Sequence, residues 1–433
     1  MYKKLVFLIV ASIVLIGCSA TQPQVASPGE KTFEQEDTYI LFALRAEQIK
    51  NNKVAGELFL KLYNKSGKKE YLYRALQNLF VAKEYQSMID SIQSVTTNPL
   101  EDDLKLARYE VFALYGKGEL VAAEKLSKMV AQKSKSVDDY ILTSDILMKE
   151  GKNDLALKYL EGAYVQEYNE KILDKIAIIL YVNLHRKKDA IAELESHVKI
   201  HGCSELTCKA LLRIYSNEND VDALLRTYKR MYAMQPNEQV AKKIIQIYAY
   251  KREFVKLMIF LEESKADDTI LLELYKTAKD YVKAQKLALH LYNKTDSIDY
   301  LGQAAIYEYE ANKENLSRKT LNDVIEKLTK VVDATHEPLY MNYLGYILID
   351  HEIDVPRGIQ YIKDVLQIQP DSGYYIDSLA WGYYKLGRCF KAYELIKKVR
   401  KLKGGDDPEV LAHEKIIRDC VKNPHHKKVV QKR

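Results

Sequence analysis

A small-residue position that recurs about every 34 residues is the feature of this sequence that most restricts its fold. From about Glu36 onward, amphipathic segments of helical period alternate with short polar breaks, without a convincing alternating strand pattern. One position near the start of every second segment is usually Gly or Ala, and successive occurrences are 27 to 37 residues apart. These anchor positions are Gly56, Met88, Ala123, Ala156, Ala190, Ala223, Leu257, Ala284, Leu321, Gly358 and Ala392.

A small residue at the anchor position lets the second helix of a pair approach the first closely. The spacing therefore predicts an all-α protein, an α-solenoid of about eleven helical hairpins over residues 36–404. Met88, Leu257 and Leu321 depart from the small-residue pattern, and the step of 27 residues to Ala284 is short. The register between about 225 and 320 therefore stays open at this point.

A break at residues 404–407 (GGDD) ends the repeats, and Pro408 then begins one more amphipathic segment. We expect residues 405–422 to form a helix that caps the apolar end of the stack, because solenoids need such ends covered. Composition agrees with packed helices. The 433 residues include only 17 Gly and 9 Pro, which disfavours a turn-rich β-sandwich or barrel.

The two clearest repeat units are residues 338–370 and 373–404. Gly345, Gly358 and Pro370 in the first unit, and Ala380 and Ala392 in the second, occupy marker positions of the tetratricopeptide repeat. The chain thus resembles tetratricopeptide-repeat (TPR) proteins, most specifically over these two units. The resemblance implies a concave groove that binds a protein or peptide and is lined by the first helix of each hairpin.

In that family the second, fifth, ninth and twelfth positions of each first helix face the ligand. Here the resemblance places Leu339, Asn342, Tyr346, Ile349, Tyr374, Asp377, Trp381 and Tyr384 at those positions. Tyr and Trp are frequent interface anchors, so the cluster is a candidate site for an extended or helical peptide. The alternative is that these aromatic residues pack between neighbouring repeats. The family's Lys and Asn pattern for acidic C-terminal tails is not reproduced.

Residues 1–17 have the pattern of a secretion signal, in which Lys3 and Lys4 precede an apolar run of 12 residues that is too short to span a bilayer. The tetrapeptide LIGC at residues 15–18 is similar to the lipobox of bacterial lipoproteins. This resemblance implies that Cys18 becomes the lipidated first residue of the mature chain. A short signal anchor with an incidental Cys is the alternative.

Residues 18–35 are polar, contain Pro and Gly, and lack periodicity, which predicts a flexible tether. Several acyl chains on Cys18 would hold the protein stably on a membrane. Ser19 stands where the retention signal of enteric bacteria would place Asp, which favours sorting to the outer membrane. We therefore expect a cell-envelope protein, anchored by lipid on the periplasmic face of the outer membrane.

Four cysteines remain besides Cys18, and they form two candidate disulfides. Cys389 and Cys420 lie at similar distances on either side of the 404–407 break, so two antiparallel helices would bring their sulfurs together. Cys203 and Cys208 can bond if Cys203 lies in a loop and Cys208 in the first turn of the next helix. Reduced thiols are an alternative.

The second cysteine pair also permits a zinc site. His197 and His201, four residues apart, would join Cys203 and Cys208 as ligands of types that zinc prefers. An exported protein favours the disulfide, because its compartment is oxidising. His197 also falls on a core-facing position, where a buried structural histidine is the simpler interpretation.

Motifs of catalysis are missing from the sequence, which has no HExxH, GxSxG, Walker loop or GxGxxG. One SxxK match at residues 66–69 is expected by chance in a chain this rich in Lys. We therefore predict a protein that is not an enzyme and needs no cofactor. The alternatives are a periplasmic hydrolase with unrecognised residues, or a structural link between membrane and peptidoglycan.

The net charge of +6 does not indicate a nucleic-acid partner. The signal peptide contributes +2 and residues 422–433 contribute +5, so the remaining chain is slightly acidic. The basic tail at 423–433 lacks helical periodicity and predicts a solvated disordered segment, with contact to anionic lipid or cell-wall polymer as the alternative.

These patterns together predict a non-catalytic, lipid-anchored scaffold or adaptor of the cell envelope that binds a protein or peptide in its concave groove. Lipoproteins of similar architecture assist envelope assembly, secretion and polysaccharide export. The sequence selects neither one of these processes nor an oligomeric state.

Overall fold

A computed structural model describes residues 31–422, and every regular element among them is helical. The signal peptide at 1–17, Cys18, the tether up to residue 30 and the basic tail at 423–433 lie outside the described residues. The described part contains 24 α-helices, which we label α1 to α24 in chain order. None of these helices combines the length and apolar character needed to cross a bilayer.

The chain divides into two compact units, Met1–Met231 and Tyr232–Arg433. The helices that belong to the first unit, or reach its boundary, are α1 (Glu36–Gln48), α2 (Asn52–Ser66), α3 (Lys69–Val81), α4 (Tyr85–Val95), α5 (Pro99–Asp102), α6 (Leu104–Lys117), α7 (Leu120–Ser134), α8 (Val137–Lys149), α9 (Asn153–Glu167), α10 (Glu170–Ile178), α11 (Lys187–His201), α12 (Glu205–Asn217) and α13 (Val221–Met234). A π-helical segment, Ile179–Asn183, extends α10.

The second unit holds the remaining helices. They are α14 (Glu238–Tyr250), α15 (Phe254–Ser264), α16 (Asp268–Thr277), α17 (Tyr281–Thr295), α18 (Ile298–Asn312), α19 (Arg318–Thr335), α20 (Pro338–Asp350), α21 (Val355–Ile368), α22 (Gly373–Lys385), α23 (Cys389–Val399) and α24 (Pro408–Lys422). A short 3₁₀ turn, Lys313–Asn315, follows α18.

These helices pair into eleven hairpins within residues 36–399, so the predicted solenoid architecture and repeat number are confirmed. Every anchor position lies in the first turns of a second helix, including Leu257 in α15 and Leu321 in α19. The open register between 225 and 320 is therefore resolved. The short step of 27 residues arises because α15 and α16 have only 11 and 10 residues.

The hairpin turns explain how the chain manages with few glycines. Many turns place a polar residue in the left-handed region, as Lys83 (φ 60°), Lys279 (φ 59°) and His336 (φ 54°) do. Such a residue costs about 1–2 kcal/mol relative to right-handed backbone. Packing of the helices on either side compensates for that cost.

Helices α20 and α21 approach each other closely at two glycines. A Cβ added to Gly358 would stand 2.6 Å from the carbonyl oxygen of Gly345 and 2.7 Å from Cγ1 of Ile349. Only glycine permits this backbone-to-backbone contact. It brings the start of α21 against α20, whose opposite side helps to form the site described next.

The last helix joins the core of the second unit as well as covering its end. Val410 and Ile417 of α24 are buried in one cluster with Ile396 and Val399 of α23 and with Trp381 of α22. The predicted capping helix is thus an integral part of the packing.

Candidate partner-binding pocket

The predicted groove positions differ widely in exposure. Leu339 and Tyr374 are exposed, at 50% and 60%, while Asn342, Tyr346 and Tyr384 are partly buried. Ile349 is fully buried in the core against α21 and α22, so it does not line a groove. Asp377 and Trp381 are buried too, at 6% and 7% exposure.

Trp381 is buried because α24 lies over it. Its ring stacks on His413 of α24, with centroids 4.1 Å apart and planes 15° from parallel, and on Tyr384 at 4.7 Å. The indole Nε1 donates to Asp350 Oδ1 over 2.8 Å. The prediction of Trp381 as an open groove anchor is therefore wrong for this structure. The alternative of packing between helices applies, with α24 as the neighbour.

Asp377 also contacts α24. Its Oδ2 lies 2.9 Å from Nδ1 of His413, while its Oδ1 has no hydrogen-bond partner. Burial raises the pKa of the Asp377 carboxyl, and the nearby His413 opposes that shift. The carboxyl group is thus held by one oxygen and leaves the other unsatisfied.

Asp377 also lines a small cavity of about 140 Å³. It lies between the first helices α18, α20 and α22 and the first turn of α24. We call it the tyrosine pocket, and its lining residues are Tyr309, Glu310, Lys313, Asn342, Tyr343, Tyr346, Tyr374, Asp377, Ser378 and Glu409. Four of the eight predicted groove residues, Asn342, Tyr346, Tyr374 and Asp377, are therefore brought together here. The other four, Leu339, Ile349, Trp381 and Tyr384, are not among the lining residues.

Hydrogen bonds fix two of the tyrosines that line the pocket. The Tyr346 hydroxyl donates to Glu409 Oε1 over 2.5 Å, and the Tyr309 hydroxyl lies 3.2 Å from Nε2 of His351. Burial raises the pKa of both phenols, so both remain neutral at physiological pH. Glu409 thereby ties the start of α24 to α20.

The pocket contains more acidic than basic groups. Glu310, Asp377 and Glu409 line it, and burial raises the pKa of the Glu310 carboxyl. Lys313 is the basic lining residue, and its Nζ lies 3.9 Å from Glu409 at the partly exposed rim. Asn342 Oδ1 is a second buried oxygen without a hydrogen-bond partner. Two of the lining residues therefore have acceptors that the chain itself does not satisfy.

Some lining residues were missed from the sequence, and one of them could have been found. Tyr309 is the twelfth residue of α18, which is a groove position of the TPR family, but the uncertain register hid it. Tyr343 follows Asn342, a predicted groove position, and falls outside the family's four-position rule. Glu409 belongs to α24, whose placement against α20 no local pattern indicates.

The four cysteines are paired as the spacing suggested. The structure joins Cys203 to Cys208, with Cα atoms 5.4 Å apart, and Cys389 to Cys420, with Cα atoms 5.7 Å apart. Cys203 precedes α12 and Cys208 lies in its first turn. The second bond links the start of α23 to the end of α24 and so holds α24 beside the pocket.

His197, His201, Cys203 and Cys208 do not form a zinc site in the described residues. Among residues 31–422, no group of three or more His, Cys, Asp or Glu side chains is placed to hold a metal ion. His197 is buried, and its Nδ1 lies 2.6 Å from the Tyr164 hydroxyl. His197 therefore has the core position that the sequence indicated.

The first unit has a different depression on its own first helices. A cavity of about 560 Å³ is lined mainly by Phe80 of α3, Phe112 and Tyr115 of α6, and Leu142 and Met148 of α8. Sequence reasoning missed it because the repeats there carry few of the family markers. Its lining is mainly apolar and aromatic, with Asp145 and Lys149 as its charged members, whereas three carboxyl groups line the tyrosine pocket.

Comparison with known proteins bears on the repeat type. No family model matches the chain. A TPR repeat-containing protein of the archaeon Methanocaldococcus jannaschii is 22% identical over 358 residues, which cover 73% of this chain and 60% of that relative. The match supports a TPR protein. This chain thus spans less than two thirds of the relative's length.

Solved structures of low similarity also align with this chain. The APC/C hetero-tetramer Cut9-Hcn1 aligns over 89% of this chain and 97% of that chain, with a TM-score of 0.38 and 9% identity. A tetratricopeptide repeat protein from Parabacteroides merdae aligns over 66% of this chain and 100% of that chain, with a TM-score of 0.24 and 12% identity.

Proposed function

We propose that this protein is a non-catalytic scaffold that binds a protein partner at the tyrosine pocket and is held on a membrane by lipid attached to Cys18. The observation that carries the proposal is a tyrosine-lined cavity in which two lining residues, Asn342 and Asp377, each have a buried side-chain oxygen without a hydrogen-bond partner. Buried acceptors without partners are rare in folded proteins and need an explanation. A partner that donates hydrogen bonds there provides one.

The surroundings of the pocket suit a protein partner. Leu339 and Tyr374 are exposed on the first helices that contribute to the pocket, so apolar and aromatic surface is available there. Tyr is enriched at protein interfaces because it combines a large apolar ring with a hydroxyl. The proposed partner therefore inserts one group into the cavity and spreads over the exposed side chains.

Site-specific photo-cross-linking tests this proposal. A photoreactive phenylalanine analogue replaces Tyr374 beside the pocket or, as the matched control, Phe390, which is 70% exposed on the second helix α23. We expect one defined protein adduct from position 374 and none of the same mass from position 390. Identical adducts at both positions, or none at 374, contradict partner binding at the pocket.

The anchor is tested separately. Cys18→Ala should release the protein from the membrane fraction and abolish labelling with radioactive fatty acid, because the acyl chains on that residue provide the attachment. Retention in membranes with label still incorporated would disprove the lipidated Cys18.

A further inference from the structure

We propose that the tyrosine pocket receives the guanidinium group of an arginine side chain from the protein partner. This inference rests on the proposed function and specifies the chemistry that the same pocket recognises. The charges, the unsatisfied acceptors and the aromatic walls of the cavity all favour this group.

Charge favours a cation in the cavity. Three carboxyl groups line it, those of Glu310, Asp377 and Glu409, against the single ammonium of Lys313 among the lining residues. Lys313 lies 3.9 Å from Glu409, and both side chains are nearly half exposed, so this ion pair belongs to the rim. Asp377 contacts the ring of His413 on α24 through one oxygen, whereas no lining residue on α18, α20 or α22 offers a basic group to Asp377 or Glu310.

The acceptors favour a group with several N–H donors. Asp377 is buried, and its Oδ2 is already engaged by His413, which leaves Oδ1 without a hydrogen-bond partner. Asn342 Oδ1, on the neighbouring helix α20, is buried and unpartnered as well. A guanidinium carries five N–H donors in a planar fork and can satisfy acceptors on two helices at once, whereas an ammonium is a compact point charge.

The walls favour a planar cation. Tyr309, Tyr343, Tyr346 and Tyr374 contribute aromatic surface, and a guanidinium binds tyrosine faces by cation–π interaction and stacking. The volume of about 140 Å³ is small beside the roughly 300–1,000 Å³ of pockets that hold drug-sized ligands. It suits the end of one side chain, and the rest of the partner would remain outside on the exposed surface.

Peptide binding to the full chain in detergent tests the assignment. The probes are acetyl-Gly-Arg-Gly-amide and two analogues that replace Arg with Lys or with citrulline, an uncharged isostere of arginine. Binding is followed by saturation-transfer NMR of the peptide. We expect the arginine peptide to bind about tenfold more tightly than the citrulline peptide, as loss of a charge-assisted hydrogen bond predicts, and more tightly than the lysine peptide.

Matched variants locate the binding. Asp377→Asn and Glu310→Gln should each weaken arginine binding several-fold, and Glu394→Gln, an exposed acid on α23, should leave it unchanged. Asp377→Asn could loosen α24, because Asp377 contacts His413 of that helix. Glu310→Gln keeps the test valid in that case, because Glu310 does not contact His413. Circular dichroism verifies that each variant is folded.

Several outcomes would overturn the inference. These are equal binding of the citrulline or lysine peptide, unchanged binding by both pocket variants, or an equal loss caused by Glu394→Gln. A protein adduct at position 374 without arginine preference would overturn this inference and leave the proposed function standing. Arginine preference without any adduct would instead contradict the proposed function.

Discussion

Replacement of Trp381 tests whether α24 covers the groove. The side chain is 7% exposed and stacks on His413, so Trp381→Ala removes a large buried aromatic group. An aromatic residue buries about 150–250 Å², worth about 25 cal/mol per Å², which gives about 4–6 kcal/mol. Measured Trp→Ala costs of about 3–5 kcal/mol agree, so we expect the second unit to lose about 4 kcal/mol.

Trp381→Phe should cost less, about 1–2 kcal/mol, because it keeps most of the stacked area and loses the 2.8 Å bond to Asp350. Phe390→Ala serves as a control, since Phe390 is 70% exposed and its loss should change stability by at most about 0.5 kcal/mol. Repeat proteins can unfold in parts, so a single midpoint is insufficient. Urea titration followed by circular dichroism is therefore combined with amide hydrogen exchange, which reports separately on the peptides of α24.

We expect the amide hydrogens of α24 to exchange faster in Trp381→Ala than in the parent protein, and those of the first unit to exchange at unchanged rates. A loss of stability below about 1 kcal/mol, with unaltered exchange in α24, would refute it. Trp381 would then lie on an open surface, as the sequence had indicated.

Three further predictions concern packing, covalent linkage and charge. Gly358→Ala should destabilise the protein by about 1–3 kcal/mol, because the added Cβ would meet a carbonyl oxygen at 2.6 Å. Gly162→Ala is the control and should be far milder, because its Cβ would meet only the Tyr140 ring at 3.3 Å. Equal melting temperatures of the two variants would contradict this prediction. Cys420→Ser should lower the free energy of unfolding by about 3–4 kcal/mol, because the bond to Cys389 no longer closes its loop. Adding a reductant to this variant should cause no further loss of stability at that site. Hydrogen bonds from Lys68 and Tyr71 lower the pKa of Glu36 from 4.5 to about 2, so its stabilisation is present above pH 4.5 and disappears as the pH falls towards 2. Glu36→Gln should flatten that part of the melting-temperature profile, and an unchanged slope would disprove the contribution.

The repeat architecture could be read from sequence because its cause is local. Each anchor position packs one helix on its immediate predecessor, and that pairwise constraint recurs along the chain. Leu257 and Leu321 fit their second helices although neither is small, since longer spacing or shorter helices accommodate them. The count of hairpins therefore did not depend on a perfect motif.

The pocket was only partly predictable because it depends on how α24 docks. His413 lies 36 residues from Asp377, and Glu409 lies 63 residues from Tyr346, yet both contacts shape the cavity. Helical periodicity specifies which face of α24 is apolar and does not specify which neighbouring helix receives its polar first turn. Trp381 was misplaced for this reason, whereas Asn342, Tyr346 and Tyr374, which lie on α20 and α22, line the cavity.

The position of α24 in the chain order has a consequence for biosynthesis. The helix supplies Glu409 and His413, and it follows every other helix that lines the pocket. A nascent chain in which α24 has yet to leave the ribosome, or one truncated before Pro408, has an incomplete cavity and an uncovered Trp381 ring. The cavity is therefore complete only when this helix has been made and docked, and premature termination yields an exposed aromatic surface that cellular proteases and chaperones can recognise.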